Sequence, residues 1–383
     1  MRGKKLSGKV KLFFALLFIL AAGVFTWQAV LFLIPPSKGE QCQLNTEPGL
    51  PAPAPLIPEG QNPTPSSNPP QATPQATPSQ ARIYNRSGFG LAASAEPLAW
   101  SAQLGTGWYV DWDVQPLSRN HEPNHWQTVR LKPGCIYPSE EYIRWAARRY
   151  SGNVWVIGNE PDVALQDDLT PEEYAQDYHE LYSLIKGADR TAAVAVAGVA
   201  QATPLRLEYL DRVLLYYKNN YGGLMPVDWW TLHGYVLQEK RGSWGVGIPP
   251  GLPEEQGQLY TTADHGSLAI FISQIVNFRT WMAENGYRDA PLALTEFGIL
   301  LPESFGYSQY WVSKYLSASV AWLDSATNEQ TGFAKDGNRL VQRWAWFSLS
   351  DPSFASSNLA NLGAGRLTII GQAYRDFNNS AGQ

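Results

Sequence analysis

The chain has 383 residues, 44% hydrophobic and 16% charged, enough for one large folded core with appendages and too apolar for a wholly disordered polymer. Its net charge of −5 hides an asymmetry: the first 35 residues carry five basic side chains and no acid, so the rest carries −10, which disfavours a nucleic-acid partner. Two cysteines, Cys42 and Cys135, are too few for a disulfide framework, and 15 Trp with 19 Tyr serve a packed core as readily as a sugar-binding cleft.

Residues 1–11 form a basic tail, and residues 12–34 run without a charge. That is long enough for a helix to cross a bilayer, which takes ~20 residues, and exceeds the ~7–15 apolar residues of a cleaved signal peptide. The basic residues should stay in the cytoplasm and send the C-terminal bulk outward. The expectation is an uncleaved signal anchor in the cell membrane with an extracellular folded part, or a secreted protein if the chain is cut near Ala21-Ala22-Gly23. Residues 35–80 hold 13 of the 28 prolines, among Ala, Gln, Ser and Thr, and read as a disordered or semi-rigid spacer that holds the folded part away from the membrane.

From residue 81 to 383 short apolar runs alternate with amphipathic stretches, the pattern of parallel strands joined by helices. Eight runs predict strands at 88–94, 107–114, 128–131, 153–158, 192–199, 228–235, 291–296 and 343–348. Helical patterns fall at 139–150, 171–186 (capped by Thr170), 204–221, 267–285 and 307–323. Eight strand–helix units in this length predict an α/β fold, a single (β/α)8 TIM barrel, monomeric and preceded by the transmembrane helix and the Pro-rich linker.

In such barrels chemistry sits where strands end. The fourth run ends in Asn159-Glu160-Pro161 and the seventh in Thr295-Glu296-Phe297-Gly298. A carboxylate directly after an apolar strand is desolvated and calls for a purpose. Two of them facing each other across a pocket are what glycosidic cleavage needs, one to protonate the departing oxygen and one to attack or to activate water. Strand alternation puts Thr231, His233 and Tyr235 on one face of the sixth run, and Trp344 and Trp346 on one face of the eighth. On the second run Trp108, Val110 and Trp112 face one way, and Asp111 and Asp113 the other; Asp111 either binds sugar hydroxyls or caps the loop. The long Gly- and Pro-containing segment after Tyr235, with Trp244 and Tyr260, is expected to wall the cleft.

Both glutamate motifs, at the ends of the fourth and seventh strands, resemble the signature of clan A retaining glycoside hydrolases, a TIM-barrel superfamily. That resemblance implies Glu160 as general acid/base and Glu296 as nucleophile, with no cofactor and no metal, on a polysaccharide or oligosaccharide. It also implies that Asn159 contacts a sugar hydroxyl, that His233 or Tyr235 contacts the nucleophile, and that Trp346 forms a floor beneath the cleaved sugar. Two alternatives differ in class. One is a carbohydrate-binding surface protein without turnover. The other is a zinc-dependent hydrolase, because residues 121–125 spell His-Glu-Pro-Asn-His; that chemistry needs the two histidines one turn apart on a helix, which Pro116 and Pro123 oppose.

Overall fold

The computed structural model describes residues 37–42 and 84–381. The basic tail, the expected anchor at 12–34 and most of the linker lie outside them. Among the described residues no helix is long and apolar enough to cross a membrane.

Eight parallel strands build a barrel: β1 (Tyr84–Gly90), β2 (Thr106–Val110), β3 (Asn124–Lys132), β5 (Val154–Ile157), β6 (Ala193–Val196), β7 (Trp230–His233), β8 (Leu292–Phe297) and β9 (Arg343–Trp346). A short strand, β4 (Cys135–Tyr137), folds back antiparallel on β3 across a turn at Gly134, whose φ is +70°. Neighbours run in the order β6-β5-β3-β2-β1-β9-β8-β7, and bridges Ala195↔Trp229 and Val199↔Leu232 join the two ends of that series. This is the predicted TIM barrel.

Seven α-helices lie among the described residues: α1 (Pro97–Leu104), α2 (Glu140–Arg149), α3 (Pro171–Ala188), α4 (Pro204–Tyr221), α5 (Leu268–Glu284), α6 (Gln309–Ser325) and α7 (Ile369–Ala381). The expected cap of α3 forms a full capping box, Thr170 accepting from the Glu173 amide while the Glu173 carboxylate accepts from the Thr170 backbone. A hairpin of β10 (Ala360–Asn361) and β11 (Arg366–Leu367) leads into α7. Between β2 and β3 there is a loop in place of a helix. His121 lies in that loop and His125 is already in β3, its Nε2 2.7 Å from Asp111 Oδ1. The two histidines therefore share no helical face, and the zinc motif is not built.

The barrel interior is filled by Trp108, Val110, Trp126, Val156, Ala195, Ala293 and Ala345, contributed by six different strands. Three alanines opposite two tryptophans keep the cross-section filled without crowding. Other strand residues, including Trp155, Trp230, Trp344 and Trp346, point outward and are fully buried beneath the helices. Most of the chain's tryptophan thus serves the core, where replacing one by Ala costs about 3–5 kcal/mol.

Residues 37–42, part of the segment read as a spacer, are docked on the barrel. Cys42 is disulfide-bonded to Cys135 on β4, Lys38 Nζ lies 2.6 Å from Asp113 Oδ2, and the Ser139 amide donates to the Lys38 carbonyl.

Candidate active site

At the C-terminal mouth of the barrel, β5 ends in a turn that aims Glu160 inward. Gly158 has φ +91°, and a Cβ there would press on Asp167, Ala197 and Leu131. Asp167 Oδ2 accepts hydrogen bonds from the Asn159 and Leu131 amides, and its carboxylate pairs with Arg130, tying the turn to β3. Glu160 itself has φ +46° and its amide donates to the Gly198 carbonyl. Such a left-handed non-glycine residue costs of order 1–3 kcal/mol and persists where surroundings enforce it. Trp112, just past β2, also has positive φ, so two of the four such non-glycine residues among those described border this site.

Glu296 is carried by β8, where the register shifts between Leu294 and Phe297 and again where His233 pairs with Glu296. The irregularity lets Glu296 leave the strict alternation of the strand and reach the mouth. Both of its oxygens accept hydrogen bonds, Oε1 from Trp112 Nε1 at 2.7 Å and Oε2 from Tyr235 Oη at 2.8 Å.

His233 bridges the two acids. Its Nδ1 lies 2.7 Å from Glu160 Oε1 and its Nε2 3.6 Å from Glu296 Oε1. The ring fits because Gly198 has no side chain; a Cβ there would come within 2.6 Å of it. Burial alone would lower the His233 pKa, but the charges of Glu296 and Glu160 outweigh it and raise the value above the ordinary histidine range. Burial raises the Glu160 pKa, against the hydrogen bond and charge of His233 that pull it down. The contact between His233 Nδ1 and Glu160 Oε1 engages one oxygen of the acid and leaves Oε2 free of the imidazole. Burial and the Glu296 charge keep the Tyr235 hydroxyl protonated, so it remains a donor.

One oxygen of each glutamate and a His233 ring nitrogen lie within 4.8 Å of one another. Among the described residues this is the group of acids and histidines close enough to hold a metal ion; within it Glu160 Oε1 is engaged by His233, and both Glu296 oxygens accept from Trp112 and Tyr235.

The two glutamates open onto a cavity of about 450 Å³. Of the residues singled out in the sequence, Asn159, Glu160, Tyr235, Trp244 and Glu296 line it. Three others do not. His233 lies beneath the two acids. Trp346 points outward, fully buried against Phe297 with its Nε1 donating to the Ser357 carbonyl, so the inward position of β9 falls to its neighbour Phe347, which lines the cavity beside Phe354. Asp111 is turned away and holds His125 and Gln115; alternation gives the inward position to Trp112. Trp112 and Phe347 were legible as aromatic residues at strand ends, one step from the residues chosen.

The long segment after Tyr235 does form a wall, through Leu237, Trp244 and Val246. It is pinned by Arg206 of α4, fully buried, which donates to the Val246 and Gly247 carbonyls and pairs with both Glu239 and Asp162. Because Asp162 lies two residues beyond Glu160, one guanidinium fixes the wall and the acid's own loop together. Arg206→Met would strand two buried carboxylates and is expected to lower stability by about 3–5 kcal/mol, measured by urea unfolding.

A parallel eight-stranded barrel with two buried carboxylates converging at its C-terminal mouth has the architecture of a TIM-barrel enzyme. No protein-family model matches the chain and no curated protein matches it by sequence. Its fold is similar to that of a GH128 (subgroup I) endo-β-1,3-glucanase from Amycolatopsis mediterranei, with a TM-score of 0.52 and 18% identity, covering 76% of this chain and 99% of the other. That glucanase has also been solved in complex with laminarihexaose. Subgroup II endo-β-1,3-glucanases are similar too: that of Sorangium cellulosum has a TM-score of 0.51 at 17% identity, covering 76% of this chain and 97% of its own. For that of Pseudomonas viridiflava the values are 0.51, 16%, 77% and 98%. These neighbours are glycoside hydrolases, the class that the two glutamate motifs resemble.

Proposed function

We propose that the chain is a retaining glycoside hydrolase that cleaves a β-1,3-glucan by double displacement. The observation that carries this reading is the convergence of Glu160 and Glu296, with oxygens within 4.8 Å across an open cavity. Inverting enzymes hold their carboxyl groups ~6.5–9.5 Å apart to admit a water between them, and retaining ones ~5–5.5 Å. The choice of glucan is supported by the neighbours' activity on β-1,3-glucan.

In the first step a Glu296 oxygen attacks the anomeric carbon as the glycosidic C–O bond breaks, and the Glu160 Oε2 proton goes to the departing oxygen. In the second, Glu160, now ionised, takes a proton from water, which displaces Glu296 and restores both acids. His233 holds Oε1 of Glu160 throughout, while Tyr235 and Trp112 keep Glu296 aimed. Asn159, Trp244 and Phe347 are placed to contact the sugar. Trp244 and Phe347 offer ring faces for stacking.

Laminari-oligosaccharides incubated with the protein and followed by proton NMR should yield the β-anomer first. First appearance of the α-anomer would exclude double displacement, and binding without cleavage would leave a carbohydrate-binding protein. Tyr235→Phe removes one hydrogen bond to a charged group, worth about 1.5–3 kcal/mol, and should lower kcat about 10- to 150-fold with little change in KM.

For location, our reading remains the sequence's: an anchor at 12–34 with the barrel outside the cell. The Cys42–Cys135 bond suits an oxidising compartment. Membrane fractionation with protease accessibility in intact cells tests it.

A further inference from the structure

At the opposite end of the barrel, where strands begin, lies a second cavity, of about 640 Å³. Its wall includes Gly107 near the start of β2, Asn124 opening β3, Val154 opening β5, Trp229 just before β7 and Arg343 opening β9. The loop between β2 and β3, left over from the zinc motif, supplies Arg119 and His121 at the rim. None of these residues borders the catalytic cavity.

Arg343 is the group that asks for a ligand. Its guanidinium lies 5.6 Å from the centre of the Trp126 ring and 6.0 Å from that of Trp229. Among the described residues no side chain or carbonyl accepts a hydrogen bond from it, whereas Arg86, Arg130 and Arg206 of the same barrel each pair with a carboxylate. Burial draws its pKa down, and no acid lies close enough to offset that effect. A guanidinium offers five donors in a planar fork, and leaving them partly desolvated without an acceptor is unfavourable. An oxyanion fits that fork with two parallel hydrogen bonds. Arg119 adds a second positive charge at the rim, and the wall's one acid, Glu122, is exposed to solvent. A basic pocket of this kind stands out on a chain whose net charge is −5. The half-buried ring of Trp229 beside Arg343 offers an apolar surface of the sort sugar rings stack on, and the volume falls within the ~300–1,000 Å³ of small-molecule sites.

We propose that the N-terminal end of the barrel is an oxyanion-binding site, centred on Arg343 and flanked by Arg119 and Trp229, for a small carboxylate- or phosphate-bearing ligand such as an acidic monosaccharide. The site shares no residue with the catalytic mouth, so it stands or falls independently of the hydrolase reading.

The test is calorimetric titration of the full chain with three probes: inorganic phosphate, D-glucuronate and D-glucose. At least one of the two anions should bind saturably below about 10 mM, and glucose, which has the ring without the charge, should not. Binding of glucuronate alone identifies a carboxylated sugar as the ligand class, and binding of phosphate alone a phosphorylated one. Arg343→Gln should weaken anion binding about tenfold or more, the loss of a bidentate charged contact. Glu296→Gln, at the other end of the barrel, should leave it unchanged. Where Arg343→Gln fails to fold by circular dichroism, the exposed Arg119→Gln decides, with an expected weakening of about threefold or more through loss of the rim charge. Failure of both anions to bind, anion affinity unaltered in the deciding variant, or loss of binding in Glu296→Gln would overturn the proposal.

Discussion

Glu296→Gln is expected to reduce hydrolysis of laminari-oligosaccharides by on the order of 10⁴-fold or more, the scale seen when a covalent nucleophile is removed. The substitution keeps the side chain's shape, so the fold should be retained: Trp112 Nε1 can still donate to the one remaining carbonyl oxygen, and the new amide NH2 can donate to the Tyr235 hydroxyl, which both gives and accepts hydrogen bonds. An unchanged thermal midpoint beside a lost rate separates chemistry from folding. A rate within tenfold of the parent would mean that Glu296 is not the group that attacks.

Glu160→Gln should behave differently according to the substrate. Loss of a general acid typically costs 10²–10⁴-fold, so natural glucan hydrolysis should fall by about that much. An aryl β-glucoside or laminaribioside with an acidic phenol leaving group needs no proton in the first step, so its glycosylation should be largely spared and deglycosylation should become limiting, seen as a burst of phenol. The pH profile carries the same assignment. Because burial holds the Glu160 pKa above the ordinary carboxylic range, the acid stays protonated to higher pH, and activity should decline as pH rises through that raised value. That alkaline limb should vanish from the first step in Glu160→Gln. Its persistence would assign the limb to another group, with His233, also shifted upward, the nearest.

The barrel could be read from the sequence because most of its strands carry apolar runs, Val154–Ile157 and residues 292–294 among them, and every predicted run overlaps an observed strand. The same property hid the orientation of those strands. A strand buried on both faces shows no polar alternation, so Trp344 and Trp346 share a face, as expected, yet nothing in Arg343-Trp344-Ala345-Trp346 says that the small alanine points into the barrel and the tryptophans into the helix layer. Asp111 and Trp112 pose the same one-residue choice at the end of β2. The two glutamates escaped it because each sits at an irregularity, a left-handed residue after β5 and a register shift in β8, where alternation no longer dictates direction. Helix α1, of eight residues, and the β10–β11 hairpin, of two residues a side, are too short for local pattern to give a sign of them. Arg206 was invisible for a related reason: it is one basic residue on an amphipathic helix until the loops carrying Asp162 and Glu239 fold over it.

The link between Cys42 and Cys135 changes what the proline-rich stretch can be. With position 42 fastened to β4 and position 84 opening β1, residues 43–83 are closed into a covalent ring on the enzyme body, and the first 41 residues attach to that body without passing through the ring. A protease that cuts once within the ring therefore frees nothing: the two fragments should migrate together on a non-reducing gel and part only when a thiol reagent is added. Shedding of the barrel by a cut within residues 43–83 would then demand two events, a cut and a reduction, where a cut on the N-terminal side of Cys42 demands one.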